Sequence, residues 1–339
     1  MTDRGERYVH LAPDLRIHRL VNGLWQLSGA HGPIDPQRGI PQMLDYHDAG
    51  FTTWDVADHY GPAEDFIGAF RGRLAAERGE AALAETQVFT KWVPQPARIT
   101  RQLVEEAVDR SRRRMGVEAI DLLQFHWWEY RDPGYLDALD ALAALRAEGK
   151  IRYLGLTNFD TEHTRRIIER GIPILTNQVQ YSLIDRRPEV QMVELCRQHG
   201  IGLLTYGTLA GGLISERYLG RPEPSSAELN TASLRKYKQM IDLWGGWDLF
   251  QDLLAALKQV ADRHGVSIAN VAVRAILDRP AVAGVIIGAR LGISEHIAEN
   301  ARVFDLRLDQ RDLNRINVVL LRGRDLFRAI GDCGAEYRR

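Results

Sequence analysis

Ile120-Asp121-Leu122-Leu123-Gln124-Phe125-His126 and Arg152-Tyr153-Leu154-Gly155-Leu156, with an amphipathic stretch at 135–148 between them, form the passage that decides the fold. Both flanking runs are short, apolar and β-rich, without the clean alternation of a half-exposed strand, so each reads as a strand buried on both faces. Strand, helix and strand in this order make a parallel βαβ unit. The same rhythm extends outward in both directions. Candidate strands fall at 21–26, 51–55, 87–91, 120–126, 152–156, 174–179, 201–206 and 282–287, and further helical patterns include 101–115, 161–169 and 189–199. Eight units of this kind predict an α/β chain closed into a (β/α)8 TIM barrel. The rival, an open doubly wound sheet, calls for Gly-x-Gly-x-x-Gly after its first strand, and the segment from Gly23 to Gly29 does not fit that spacing.

Punctuation supports the helices. Gly50, Gly116, Gly149, Gly171, Gly200 and Gly265 each follow a helical pattern, where a left-handed residue is often needed. Thr100, Asp160 and Ser294 are candidate N-caps. One connection departs from the rhythm: from Tyr206 to the eighth strand is roughly 80 residues, against roughly 23 to 36 elsewhere. We expect one barrel domain over 1–339, with a core at 21–304. The insertion at 207–250 follows strand seven and should lie over the mouth, because βα loops emerge there. The tail, 322–339, has weak periodicity and leaves two expectations open, a mobile end or a segment folded over the mouth.

The 339-residue chain holds 44 basic and 45 acidic side chains. A formal charge of −1 gives no electrostatic footprint for nucleic acid or an anionic membrane. Two distant cysteines, Cys196 and Cys333, sit in no metal or redox spacing. The first seven residues are polar, and no apolar run is long enough to span a bilayer. The expected location is the cytoplasm, and the expected partner a small molecule.

Polar residues interrupt the apolar strands at their C-terminal ends. Asp55, Lys91 and His126 each close a strand, Asn158 follows the fifth, Gln178 lies in the sixth, and Tyr60 stands five residues beyond Asp55. Singly, each has a plainer reading as a cap, a solvated charge or a core histidine. Jointly the barrel gathers them at one mouth, and burying several charged groups together is costly unless they pair. Asp55 can hold Lys91 charged and in place, with Tyr60 beside the ammonium. A tyrosine hydroxyl is a weak acid, with a pKa of about 10, and a neighbouring cation lowers that value. His126 can then hydrogen-bond the substrate oxygen and orient a carbonyl. The set amounts to a proton donor for carbonyl reduction, with no metal ligand cluster.

From about residue 21 to 304 the chain resembles the aldo-keto reductase superfamily. The resemblance is carried by 54–64 (Trp-Asp-Val-Ala-Asp-His-Tyr-Gly-Pro-Ala-Glu), 88–92, 121–128, 149–159, 177–182 and 288–300, in order and each at or near a strand end. It implies hydride transfer between NADP(H), with NAD(H) as the alternative, and an aldehyde, ketone, alcohol or sugar. Tyr60 then serves as general acid, Lys91 and Asp55 tune it, and His126 orients the carbonyl. Thr157, Asn158 and Gln178 match the positions that hold the nicotinamide carboxamide, and Tyr206 matches the residue stacked on the ring. Gly207, Thr208, Leu209, Gly211 and Gly212 form the loop offered to the pyrophosphate. The cofactor set also takes in Gly23, Leu24, Trp25 and Asp55, and at the adenosine end Gly288, Ala289, Arg290, His296, Glu299 and Asn300. That last segment is about two residues longer than the family pattern, and His296 stands where Arg or Gln is common. Arg290 can bind a 2′-phosphate bidentately.

Trp25, Trp92 and Trp127 are expected, with Tyr60 and His126, to line the substrate pocket. Trp128 is weighed equally as a pocket wall or a core residue. Two other functional classes stay in view. A slow, cofactor-sensing regulatory subunit is the first, because this barrel also serves as a partner of membrane channels. A metal-dependent hydrolase is the second; it lacks enough His and Asp at the strand ends.

Overall fold

The computed structural model describes residues 7–29, 34–95 and 98–338. The polar start of the chain (1–6) and the last residue of the tail (339) lie outside them. The strands are β1 (Tyr8–Ala12), β2 (Leu15–His18), β3 (Leu20–Gly23), β4 (Thr53–Asp55), β5 (Gln87–Trp92), β6 (Ile120–His126), β7 (Ile151–Thr157), β8 (Thr176–Gln180), β9 (Gly202–Tyr206) and β10 (Val282–Gly288). The helices are α1 (Pro36–Asp48), α2 (Ala63–Arg78), α3 (Glu80–Ala84), α4 (Arg101–Met115), α5 (Gly134–Ala147), α6 (Thr161–Glu169), α7 (Met192–His199), α8 (Ala232–Trp244), α9 (Gly246–His264), α10 (Ile268–Leu277), α11 (Ile297–Ala301), α12 (Gln310–Leu320) and α13 (Leu326–Ile330).

Strands β3 to β10 form a closed barrel in sequence order, β10 pairing with β3, every ladder parallel. This is the (β/α)8 barrel that the strand–helix rhythm predicts, and each of the eight expected strands is present. The first is shorter than 21–26, because Trp25–Ser28 turns into a 3₁₀ helix after Gly23. Thr100 and Asp160 cap α4 and α6 as expected. Ser294 does not cap; His296 precedes α11, and the intervening turn hydrogen-bonds Ile293 and Ser294 back to the Arg290 carbonyl.

One element was not foreseen. β1 and β2 make an antiparallel hairpin outside the barrel sheet. Leu15 and Ile17, 1% and 0% exposed, join a cluster with Phe89, Leu122, Leu204 and Ala283 from the barrel interior. The hairpin therefore plugs the end of the barrel opposite the strand C-termini. The alternation of Leu15 and Ile17 after the Pro13-Asp14 turn is its signature in the sequence.

The long connection after β9 builds its own apolar layer, where α8, α9 and α10 pack with α12 and α13. Its first helix reaches the mouth: the Tyr237 ring lies so close to Gly207 and Gly211 that a Cβ on either would approach within 3 Å. The described part of the tail lies over the mouth. Gly334 sits against the Asn158 carbonyl, where a Cβ would stand 2.0 Å away.

Ile17→Ala should lower stability by about 2–5 kcal/mol, the cost of a cavity in a packed layer. Thermal and urea unfolding should show a reduced midpoint with secondary structure retained; an unchanged midpoint would deny the plug its role.

Candidate active site

Alternation along the strands places Asp55 (β4), Gln124 (β6) and Gln178 (β8) inward, on alternate strands of one interior layer. The Asp55 carboxylate is 3% exposed. Its Oδ1 accepts from Gln124 Nε2 and Gln178 Nε2, each at 2.8 Å, and its Oδ2 from Lys91 Nζ at 2.5 Å. Gln178 also donates to Gln124 Oε1 at 2.7 Å, bridging β6 and β8 across β7. At that level β7 carries Gly155, paired with Gln124 and Thr176; a Cβ there would fall 2.3 Å from Thr176 Oγ1.

Lys91 completes the set from β5. Its ammonium is 2% exposed and also donates to the Val56 carbonyl at 2.9 Å. Two of its three N–H groups are thus engaged, and Nζ stands 5.0 Å from the ring centre of Tyr60. Burial pulls the Lys91 pKa down, with Asp55 opposing. The expected lowering of Tyr60 is not what this geometry produces. Burial first, and the Asp55 carboxylate second, hold its hydroxyl well above the usual range.

The loop that carries Tyr60 is tied from outside the barrel. Arg114 of α4 donates to the carbonyls of Asp58 and Gly61, at 3.1 and 2.6 Å, and to Glu64 Oε2 at 2.9 Å. Glu64, fully buried, accepts from Thr90 on β5 at 2.7 Å. Arg114 carried no signal in the sequence, and Glu64 closes the matched segment 54–64 without a role assigned to it. Gln124 did carry one: it is polar in an apolar strand, two residues before His126 and so on the same face.

His126 is 3% exposed, with Nδ1 3.0 Å from the Thr157 carbonyl. A carbonyl only accepts, so Nδ1 carries the proton. Burial pushes the His126 pKa down to about 4, and the neutral ring presents a lone pair at Nε2. That atom is buried without a hydrogen-bond partner among the described residues, as is Thr157 Oγ1. In this form His126 accepts from a hydroxyl; donating to a carbonyl oxygen requires the imidazolium.

Two of the expected pocket tryptophans are placed elsewhere. Trp92 and Trp127 are each 5% exposed and pack on Phe125, between strands and helices. As neighbours of inward Lys91 and His126 they point outward, and the Trp127 indole donates to the carbonyls of Glu129 and Asp132. Trp25 and Trp128 stand at the mouth instead, 36% and 42% exposed. Their rings lie 4.9 Å from Tyr60 and 4.4 Å from His126.

The remaining residues fall in two groups. Gly23, Leu24 and Trp25 adjoin Gly288 and Ala289, since β3 pairs with β10 and Ala289 N donates to the Gly23 carbonyl at 2.9 Å. Beyond them Arg290 and His296 are exposed, and His296 pairs with Glu299. Asn300 N donates to the His296 carbonyl. On the other side Thr157, Asn158, Gln178 and Tyr206 share three adjacent strand ends. Asn158 is left-handed, φ 58°, a conformation that non-glycine residues adopt with strain. Its Oδ1 accepts from the Tyr206 hydroxyl at 2.7 Å. Gly207, Gly211 and Gly212 all have positive φ, while Thr208 Oγ1 is used on the Tyr181 carbonyl and Leu209 packs inward.

Residues 19–320 match the Aldo/keto reductase family. The chain belongs to that family. The family and its reductase relatives make the chain an oxidoreductase of the carbonyl-reducing type. L-glyceraldehyde 3-phosphate reductase of Escherichia coli is 27% identical over 332 residues, covering 94% of this chain and 93% of that one. NADH-specific methylglyoxal reductase of the same organism is 26% identical, with 88% and 93% covered. Among solved structures, a thermostable aldo-keto reductase in complex with the inhibitor epalrestat superposes with a TM-score of 0.68 at 23% identity, covering 92% of this chain and 99% of that one. This aldo/keto reductase has no helix, among the described residues, long and apolar enough to cross a membrane.

His126 and His18 should make the fold acid-sensitive. Burial lowers both from 6.5 to about 4, so below pH 6.5 the unfolded chain binds protons that the folded one refuses. Stability is complete above that pH and falls by a few kcal/mol as pH drops towards 4. Urea midpoints at pH 7 and pH 4.5 should differ, and His126→Asn should shrink the difference; an equal difference in the variant would refute the assignment.

Proposed function

We propose that this chain is a nicotinamide-dependent carbonyl reductase, working as one barrel domain on a small aldehyde or ketone in the cytoplasm. The observation that carries the reading is a neutral phenol, Tyr60, held beside a buried ammonium, Lys91, that is itself locked by Asp55. A proton donor must be protonated before the reaction, and the raised pKa of Tyr60 keeps it so. As the proton leaves Tyr60 Oη for the substrate oxygen, the Lys91 charge stabilises the phenolate left behind. His126 Nε2, with its lone pair facing the mouth, accepts from the hydroxyl being formed and holds the alcohol in place.

The residues present fit a nicotinamide. Thr157 Oγ1 is orphaned and buried, and the strained Asn158 follows it in the chain, itself buried and with its Oδ1 held by the Tyr206 hydroxyl, so that a hydroxyl and an amide stand together where a carboxamide would bind. Tyr206 offers a ring, and the left-handed glycines of 207–212 carry no side chain to keep a pyrophosphate from the backbone. A bound nicotinamide supplies the hydride; these residues orient it and exclude water. Arg290, exposed and in no ion pair among the described residues, supports NADP over NAD, the only cation of its segment suited to a 2′-phosphate. The E. coli relative named for NADH specificity keeps that choice a matter for experiment.

Tyr60→Phe should remove reduction of any accepted aldehyde, by about 10²-fold or more, while NADPH binding by fluorescence stays near wild type. Retained turnover would sink the acid assignment. Arg290→Ala should weaken NADPH by about tenfold or more and NADH far less; equal losses would take Arg290 away from the 2′-phosphate.

A further inference from the structure

We infer that Lys236, Glu336 and Tyr337 form a second polar station at the barrel mouth that selects neutral, hydroxyl-bearing carbonyl substrates. This inference rests on the reductase reading above. Its physical basis is the way the tail is built in. Arg187, 1% exposed, holds Asp185 through two bonds of 2.8 Å and also donates to Glu336 Oε2 at 2.7 Å and to the Asp332 carbonyl at 3.2 Å. Asp332 Oδ2 accepts from Thr161 N at 2.7 Å. Arg338 donates to the Trp127 carbonyl at 3.0 Å and lies 4.0 Å over the Tyr130 ring. Gly334, at φ +76° and against the Asn158 carbonyl, admits no side chain.

So anchored, the tail sets the Tyr337 ring 6.2 Å from the His126 ring. The Tyr337 hydroxyl accepts from Lys236 Nζ of α8 and lies 3.1 Å from the Tyr206 hydroxyl. Tyr206 gives its proton to Asn158, so Tyr337 donates to Tyr206, and a directed chain runs from Lys236 to Asn158. Glu336 Oε1 is buried without a hydrogen-bond partner among the described residues, 4.0 Å from Lys236 Nζ. The mouth thus offers an unused acceptor on Glu336 and further N–H groups on Lys236. A substrate hydroxyl can satisfy both, giving its proton to Glu336 Oε1 and accepting from Lys236, whereas an ionised phosphate or carboxylate only accepts and leaves the Glu336 oxygen unpaired. Trp25 and Trp128, exposed at the same mouth, add ring faces for C–H groups.

The test uses the full chain saturated with NADPH or NADH, whichever binds tighter, and two aldehydes of one skeleton, glyceraldehyde and propanal. Wild type should favour glyceraldehyde in kcat/KM, and Tyr337→Phe and Lys236→Met should each cut that preference by about tenfold, with Lys236→Arg recovering part of it. Cofactor Kd should stay within about twofold in all three. An unchanged preference in both loss variants overturns the station. So does cofactor binding weakened tenfold or more by Lys236→Met, which gives the lysine to the cofactor. Better use of glyceraldehyde 3-phosphate than of glyceraldehyde also overturns it, by making the site an anion site. Turnover of neither aldehyde by wild type overturns the reductase reading and this inference with it.

Discussion

A carboxylate sealed inside a barrel is the constraint on which the rest of this structure depends. Asp55 has almost no contact with solvent, and an isolated charge in that position would cost several kcal/mol. The protein meets the demand completely, with an ammonium on one oxygen and two amides on the other. Each partner comes from a different strand, so the closure of the barrel and the pairing of the charge are one event. Gly155 leaves room on β7 for the Thr176 side chain of β8, and Gln178 of that strand bonds Gln124 across β7.

The chemistry follows from the same pairing. Because Asp55 holds Lys91, a positive charge is available beside Tyr60 in a place where water is scarce. Because the surroundings are dry, the phenol stays protonated and the His126 ring stays neutral until a substrate arrives. Burial therefore dominates the resting state, and the ammonium acts on what the reaction leaves behind.

Two arginines extend this logic beyond the barrel wall. Arg114 ties the Tyr60 loop to α4 and to buried Glu64. Arg187, paired with Asp185 and Glu336, ties the tail over the mouth. In each case a guanidinium satisfies backbone carbonyl and carboxylate oxygens together, so a segment with no strand or α-helix of its own at the site is tied in place. Tyr60 and Tyr337 are the side chains those two segments deliver.

Much of this was legible in the chain. Apolar runs such as Val282–Ile287 alternate with helical periods, and that rhythm is enough for a parallel barrel, because parallel strands must be buried on both faces. Asp55, Lys91 and His126 were recognisable as polar ends of apolar strands, and the barrel alone brings such ends together. The face of a tryptophan beside such an end was not read correctly: Trp92 and Trp127 follow strand alternation outward, while Trp25 and Trp128 stand at the mouth. Arg187 and Tyr337 could not be read at all. Their partners lie 149 and 131 positions away, Glu336 for the first and Tyr206 for the second, and local periodicity carries no information over such separations. The sequence by itself determined the barrel and the charged residues inside it, since burial and periodicity are local properties. Only the tertiary structure decided the His126 proton, the Gln124 bridge and the tail over the mouth, since each depends on atoms from distant parts of the chain meeting at bonding distance.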